Sequence, residues 1–380
     1  MPKTYDEINQ KIKERNAKII TAEEMVALVE KEGLEYAADK IDVVTTGTFG
    51  CMCSSGAFLN IPQPNPPIIM DNISFDGIPA YHGGAAADCY LGVTQKHETY
   101  PEKKIGGGHI LEKLLSGDSV SLSVSARGTD CYPRTALQKE VNLDTFNQAI
   151  LLNPRNGYQR YVCAVNTSDA PLYTYMGKLL PNLRNGTFGG VGTLSPLNND
   201  PTYQTIGLGT PIFLGGGIGH IIGEGTQHSP QSGYGNLMVK GDLKGMDPEF
   251  LCGASITNYG VSCFIGLGIP IPVLNDSLAK SCSIPDEEIM TSVIDYSTGT
   301  RDRPTLREVS YGELKTREIE VDGKIVPVSS TSSIPKSRAI AKMLQKWIEG
   351  GDFLLNAPVR TLSTYCEYKS MDTEVIVNDE

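Results

Sequence analysis

The stretch Val43-Val44-Thr45-Thr46-Gly47-Thr48-Phe49-Gly50-Cys51-Met52-Cys53-Ser54-Ser55-Gly56 runs from an apolar, β-branched segment straight into two thiols set among glycines and serines. Val43 to Thr46 reads as a buried strand. Ligand-binding groups in folds that mix strands with helices gather at strand C-terminal ends, so the cysteine motif behind this strand reads as a candidate site. A cysteine that only fills volume sits among Val, Ile and Leu and behaves as a small hydrophobe. Here the neighbours are small, which lets backbone approach closely, and successive amides can form an anion nest. On an extended segment Cys51 and Cys53 share one face. Taken alone, a small-residue turn accounts for this segment about as well.

A second thiol has a parallel setting. Val120 to Ala126 alternates Ser with Val and Leu, the period of a strand. Arg127-Gly128-Thr129-Asp130-Cys131-Tyr132-Pro133-Arg134 follows at its end. Arg127 and Arg134 favour a thiolate at Cys131, Asp130 can orient a partner or move a proton, and Tyr132 can donate one. An ordinary turn with an incidental cysteine carries equal weight before any family information. Both thiols thus read as strand first and loop after, which predicts that they converge on one site.

Outward from these motifs, Tyr5 to Asn16 reads as an amphipathic helix. Thr21-Ala22-Glu23-Glu24 is a capping box that opens a second helix, stopped at Gly33 and followed by a short one over Leu34 to Lys40. Ile61 to Pro79 reads as an extended loop, Ile110 to Leu115 as a short helix, and Leu143 to Leu152 as a helix with a loop from Asn153. Pro211 to Leu214 reads as a strand feeding the glycine-rich loop Gly215 to Gly225. That run lacks the acidic residue a dinucleotide fingerprint needs about 20 positions on. His220, Glu224 and His228 mimic a metal triad, although a hydrogen-bonded structural histidine is the better single reading. Arg317 to Val321 and Lys324 to Val328 form a hairpin through Asp322-Gly323, and Pro335 to Glu349 a helix. Arg155 in Asn153-Pro154-Arg155-Asn156 suits a carboxylate clamp, with plain turn chemistry as the equal alternative. Cys163 and Cys263, with apolar neighbours, read as packing cysteines.

The 380 residues permit one large domain or two intimately packed ones, and 40% hydrophobic content supports a sizeable core. The net charge of −11, with no basic stripe, argues against nucleic acid as a partner. No apolar run approaches the ~20 residues of a membrane span. Met1 to Lys18 carries no signal-peptide core, so the expected location is cytoplasmic, where nine scattered cysteines stay reduced. The absence of tandem Cys-x-x-Cys pairs argues against structural zinc. The expected fold is mixed α/β, a glycine-rich strand-containing core with helices at both ends. One domain is expected over 1–362, with a mobile tail over 363–380.

These motifs in series resemble the homocysteine biosynthesis family of anaerobic archaea and bacteria. The resemblance rests on Val44 to Gly50 with Met52-Cys53-Ser54-Ser55-Gly56, on Gly128 to Arg134, and on Leu152 to Asn156. Tyr173-Thr174-Tyr175-Met176-Gly177, Phe213 to Gly219, Gly223 to His228 and Ile269 to Asn275 extend it, in order, over nearly the whole chain to about Leu362. The resemblance implies an L-aspartate semialdehyde sulfurtransferase that forms homocysteine for methionine biosynthesis, with Cys53 and Cys131 as its two important cysteines. The family does not usually carry cysteine at the position of Cys51. Some relatives add a pair of CBS domains, which this chain is expected to lack. A separate ferredoxin-type iron–sulfur protein often accompanies the family.

The chemistry expected from that resemblance needs a sulfur donor, sulfide or persulfide, and two electrons. A persulfide on Cys131 attacks the aldehyde, and Cys53 resolves it or pairs with Cys131 as a disulfide. Arg127 or Arg134 stabilises thiolate, Asp130 or Tyr132 moves protons, and Arg155, Ser54 and Ser55 hold the substrate. No flavin or nicotinamide site stands out. The alternatives are an iron–sulfur sulfur carrier with Cys51, Cys53 and Cys131 as cluster ligands, and a non-catalytic scaffold for a ferredoxin-type partner.

Overall fold

The computed structural model describes residues 2–97, 104–367 and 369. Helices and strands interleave along the whole chain, as the mixed α/β expectation requires. The largest element is a nine-stranded sheet. Its strands run in the order Leu251–Ile256, Gly260–Gly268, Pro211–Leu214, Gly217–Glu224, Leu237–Asp242, Gln148–Asn156, Gly56–Asn60, Asp88–Gly92, and Thr48–Cys51 pairs with Gly260–Gly268. Every pairing in it is antiparallel.

Chain length forces this sheet to curl. Thr48–Cys51 is bonded to the second strand in the order, and Gly56–Asn60 is the seventh. In a flat sheet those positions lie roughly 24 Å apart. The five Cα steps from Cys51 to Gly56 span at most about 18 Å. Residues 52–55 therefore bridge a seam in a rolled sheet. Met52 N–H donates to Cys263 O (2.8 Å) on one side, and Val93 N–H donates to Ser55 O (3.0 Å) on the other. The cysteine motif sits at that seam.

A six-stranded mixed sheet, in the order Thr305–Ser310, Met290–Asp295, Cys163–Val165, Gly186–Phe188, Lys324–Ser330, Glu318–Val321, stands beside the first. The connector from Asn156 to Cys163 joins the two. Smaller sheets hold Val43–Thr45 between Ile19–Thr21 and Pro270–Pro272, and Asn72–Phe75 between Ile78–Ala80 and Val120–Ser125. The helix Ile334–Glu349 lies against the strand that carries Cys51. Ser333 N–H donates to Phe49 O (2.9 Å), and Phe49 N–H donates to Ser337 Oγ (3.0 Å). A Cβ on Gly47 would come within 2.3 Å of Ser337 O, so only glycine admits the helix this close.

Local signals in the sequence are met where they are strong. The Thr21 hydroxyl accepts from Glu24 N–H (3.3 Å) and Thr21 N–H donates to Glu24 Oε2 (2.8 Å). Asp322 and Gly323 take φ of 49° and 74°, closing the expected hairpin. Other expectations are corrected. Thr48–Cys51 is a strand and not the start of a loop. Leu143 to Leu152 is a turn of 3₁₀ helix over Leu143–Thr145 followed by the strand Gln148–Asn156, because pairing with two neighbours outweighs local propensity. Ile61 to Pro79 contains the strand Asn72–Phe75 and part of Ile78–Ala80. Gly215 and Gly216, at φ 58° and 96°, form a tight turn, and Gly217–Glu224 is a strand of the large sheet. Of the expected tail, Ser363 and Cys366 are hydrogen-bonded to Glu224, His228 and Gln231. Residues 368 and 370–380 lie outside the described residues.

A candidate thiol site between two sheets

The seam turn places two thiols side by side. The strand ends at Cys51, and Ser55 N–H closes a turn onto Met52 O (3.2 Å). The Cys51 and Cys53 sulfurs stand 3.9 Å apart. Ser262, fully buried on the neighbouring strand, lies between them. Cys51 Sγ donates to its Oγ at 3.1 Å, and its Oγ donates to Cys53 Sγ at 3.1 Å. The hydrogen bond from Cys51 is foremost in pulling the Cys53 thiol below its ordinary range, against the effect of burial, and Ser262 adds to it. The same contact, with burial, pushes Cys51 up. The pair therefore gives up its first proton easily and holds the second.

Both thiols open onto a cavity of about 880 Å³ between the rolled sheet and the six-stranded sheet. Its walls carry Arg155, Arg160, Arg301 and Arg303 against a single acid, Asp302, and also Tyr158, Tyr161, Tyr175, Tyr234, Tyr259 and Tyr296. In a chain of net charge −11, this local excess of arginine suits an anionic ligand. Arg155 is anchored through Nε and Nη2 on Thr226 Oγ1, each at 3.1 Å. Arg160 Nη2 donates to Glu308 Oε2 (2.5 Å) and Ser292 Oγ (3.3 Å), which ties the connector to the second sheet. Burial raises Tyr158, Tyr161 and Tyr175, so their phenols stay protonated as donors. Ser54 Oγ donates to Asn153 Oδ1 (3.1 Å), fixing the turn to the strand that leads to Arg155. Ser55 is buried behind the turn.

The expected convergence of both cysteine motifs is not found within one copy of the chain. Cys131 and Asp130 are exposed on a loop between Val120–Ser125 and Ala136–Val141 and do not line the cavity, nor do Arg127, Tyr132 and Arg134. Arg134 donates through Nε to Pro66 O (3.0 Å) and through Nη2 to Asn65 O (3.1 Å), while Arg127 reaches Asp71. These contacts fasten the loop to residues 61–71, which leave the Asn60 end of the strand Gly56–Asn60, whereas Cys53 precedes its Gly56 end. The cluster set Cys51, Cys53 and Cys131 is likewise not gathered. Among the described residues no group of three His, Cys, Asp or Glu is close enough together to hold a metal ion.

His220, Glu224 and His228 form no metal-holding group. His228 is buried, with Nδ1 bonded to the Asn236 backbone (2.7 Å) and Nε2 donating to Ser363 O (2.9 Å). Glu224 accepts from Arg360 and from Ser363 N–H, and His220 is exposed. Ser262, Arg160, the cavity tyrosines other than Tyr175 and the Arg301-Asp302-Arg303 group carry no reading in the sequence. The only signal was the repetition of Arg and Tyr in Tyr158-Gln159-Arg160-Tyr161 and Arg301-Asp302-Arg303. Among the described residues no helix is long and apolar enough to cross a membrane.

A family model described as homocysteine biosynthesis enzyme, sulfur-incorporation, matches residues 17–355. A protein of Methanosarcina acetivorans named L-aspartate semialdehyde sulfurtransferase is 49% identical over 369 residues, covering 97% of this chain and 74% of its own length. A protein of Methanocaldococcus jannaschii with the same name is 47% identical over 388 residues, covering 98% of this chain and 75% of its own. No solved structure matches the chain.

Proposed function

The chain belongs to the family of sulfur-incorporating homocysteine biosynthesis enzymes, and on that premise we propose that it is an L-aspartate semialdehyde sulfurtransferase whose working thiol is Cys53. The observation that carries the assignment of the thiol is the Cys51–Ser262–Cys53 relay on the wall of an arginine- and tyrosine-lined cavity. The net reaction joins one aldehyde, one sulfide, two electrons and two protons into one thiol and one water.

Each part of the cavity has a task in that reaction. The substrate carries a carboxylate, which an anchored guanidinium binds in two-pronged fashion, and Arg155 or Arg160 supplies it. The aldehyde oxygen becomes water and needs a proton donor, a role for a protonated phenol of Tyr158 or Tyr175. Cys53, ionised more readily than an ordinary cysteine, handles the sulfur at the carbonyl carbon. Cys131, exposed on its own loop, takes the exchange with an external sulfur or thiol donor. The two electrons trace back to a separate low-potential carrier of the ferredoxin type, and the reduced thiols suit a cytoplasmic setting.

The test compares the wild type with Cys53→Ser and Cys131→Ser, each given aspartate semialdehyde, sulfide and a chemical reductant under anaerobic conditions. The wild type and Cys131→Ser should form homocysteine, and Cys53→Ser should fall to background with an unchanged circular dichroism spectrum. Normal turnover by Cys53→Ser would overturn the assignment.

A further inference from the structure

We propose that Cys51 and Cys53 form a dithiol–disulfide pair that itself supplies the two electrons of the reaction. The inference rests on the reading above that Cys53 handles sulfur and an aldehyde. It goes beyond that reading by giving Cys51 a redox role.

The geometry sets this pair apart from the other cysteines. Cys89, Cys163, Cys263 and Cys282 are buried, and Cys131 is on an exposed loop that does not line the cavity. Among the described cysteines only Cys51 and Cys53 line the cavity. Residues two apart on a strand present side chains to the same face. The turn closed by Ser55 N–H onto Met52 O then brings the second thiol to 3.9 Å from the first. A disulfide needs about 2.05 Å between sulfurs, a closure of about 1.9 Å that side-chain rotation can supply. A disulfide that faces the cavity is accessible to an external reductant and can be reduced again, as a turnover device requires.

The electrons balance as follows. Sulfide and the aldehyde condense to a thioaldehyde with loss of water. The Cys53 thiolate adds to the thioaldehyde sulfur, forming an S–S bond. The carbon–sulfur π pair moves to carbon, which takes a proton, leaving the product joined to Cys53 as a mixed disulfide. Cys51 loses its proton through Ser262 and attacks Cys53 Sγ. The bond to the product sulfur breaks, the product leaves as a thiol, and a Cys51–Cys53 disulfide forms. The thioaldehyde has gained two electrons and two protons, one proton on carbon and one on sulfur, and the two thiols have lost them. An external dithiol or a low-potential iron–sulfur electron carrier resets the pair.

The experiment uses full-length, fully reduced protein, freed of reductant and mixed anaerobically with aspartate semialdehyde and sulfide. Wild type should release roughly one homocysteine per chain, the yield of one two-electron pair, and the peptide holding Cys51 and Cys53 should lose two hydrogens by mass. Cys51→Ser should release none under these conditions and should carry homocysteine as a mixed disulfide on Cys53. Added dithiothreitol should free that homocysteine and restore turnover. A Cys51→Ser yield equal to wild type without reductant would overturn the redox role. So would a wild type that needs dithiothreitol for its first turnover, although the function proposed for Cys53 would survive. A wild type silent even with dithiothreitol would instead overturn that function, and the inference with it.

Discussion

A sulfur that accepts a hydrogen bond from a buried hydroxyl holds its ionised form more readily than one that accepts none. Ser262 supplies that hydroxyl between Cys51 and Cys53, and its complete burial keeps water from taking either place. The consequence is a thiol whose ionised form is favoured. Because the Cys53 value lies below the ordinary one, its thiolate fraction at a given pH is larger and falls away only as the pH drops through the lower value. Alkylation of Cys53 by iodoacetamide, followed by mass spectrometry, should therefore persist below the range set by an unperturbed thiol of about 8.5. Ser262→Ala removes one of the two donors to the thiolate and should move the midpoint upward. An unchanged profile would show that the hydroxyl has no part in the ionisation. In the sequence Ser262 is one small residue within an apolar strand, and nothing near it in the chain points to Cys51 and Cys53, 211 and 209 positions away.

At the level of elements, the strand Thr48–Cys51 holds its thiol in place because it is gripped from two directions. Gly260–Gly268 pairs along one edge, and the helix Ile334–Glu349 docks through Ser333 and Ser337. Ser337 is fully buried, and its hydroxyl accepts from Phe49 N–H and donates to Ser333 O (2.8 Å). Ser337→Ala leaves the Phe49 amide buried without a partner, at a cost of about 1–3 kcal/mol. Urea unfolding should show an earlier midpoint with an unchanged slope. A midpoint equal to wild type would mean that water or backbone movement takes over the bond. The helix itself was legible in the sequence, and so was the capping box at Thr21, because both are written in consecutive residues. The strand Gln148–Asn156 was not. Its alternation, with Ala149, Leu151 and Asn153 buried, becomes decisive only once Gly56–Asn60 and Leu237–Asp242 flank it.

At the scale of the whole molecule, the cavity exists because two sheets meet. The seam of the rolled sheet brings the thiols, the connector brings Arg155 to Tyr161, and the second sheet brings Tyr296 and Arg301 to Arg303. A ligand that spans both walls stabilises the folded state by its binding free energy, about 2.7 kcal/mol at a concentration one hundred times its dissociation constant. Aspartate semialdehyde added to the inert Cys53→Ser protein should therefore raise its melting temperature. No rise at millimolar aldehyde would count against this cavity as the substrate site. The sequence by itself determined the reactive setting of the cysteines, the helix starts and the Asp322-Gly323 hairpin, and through its ordered motifs it pointed to the family. These are properties of neighbouring residues, and short-range sterics and hydrogen bonding fix them. Only the tertiary structure decided which thiols share a site. The parallel strand-then-loop reading had joined Cys53 to Cys131. The chain instead gives Cys53 a partner two residues away and a buried serine from a distant strand, because a seam just four residues long can be closed only by rolling the sheet and bringing that strand alongside.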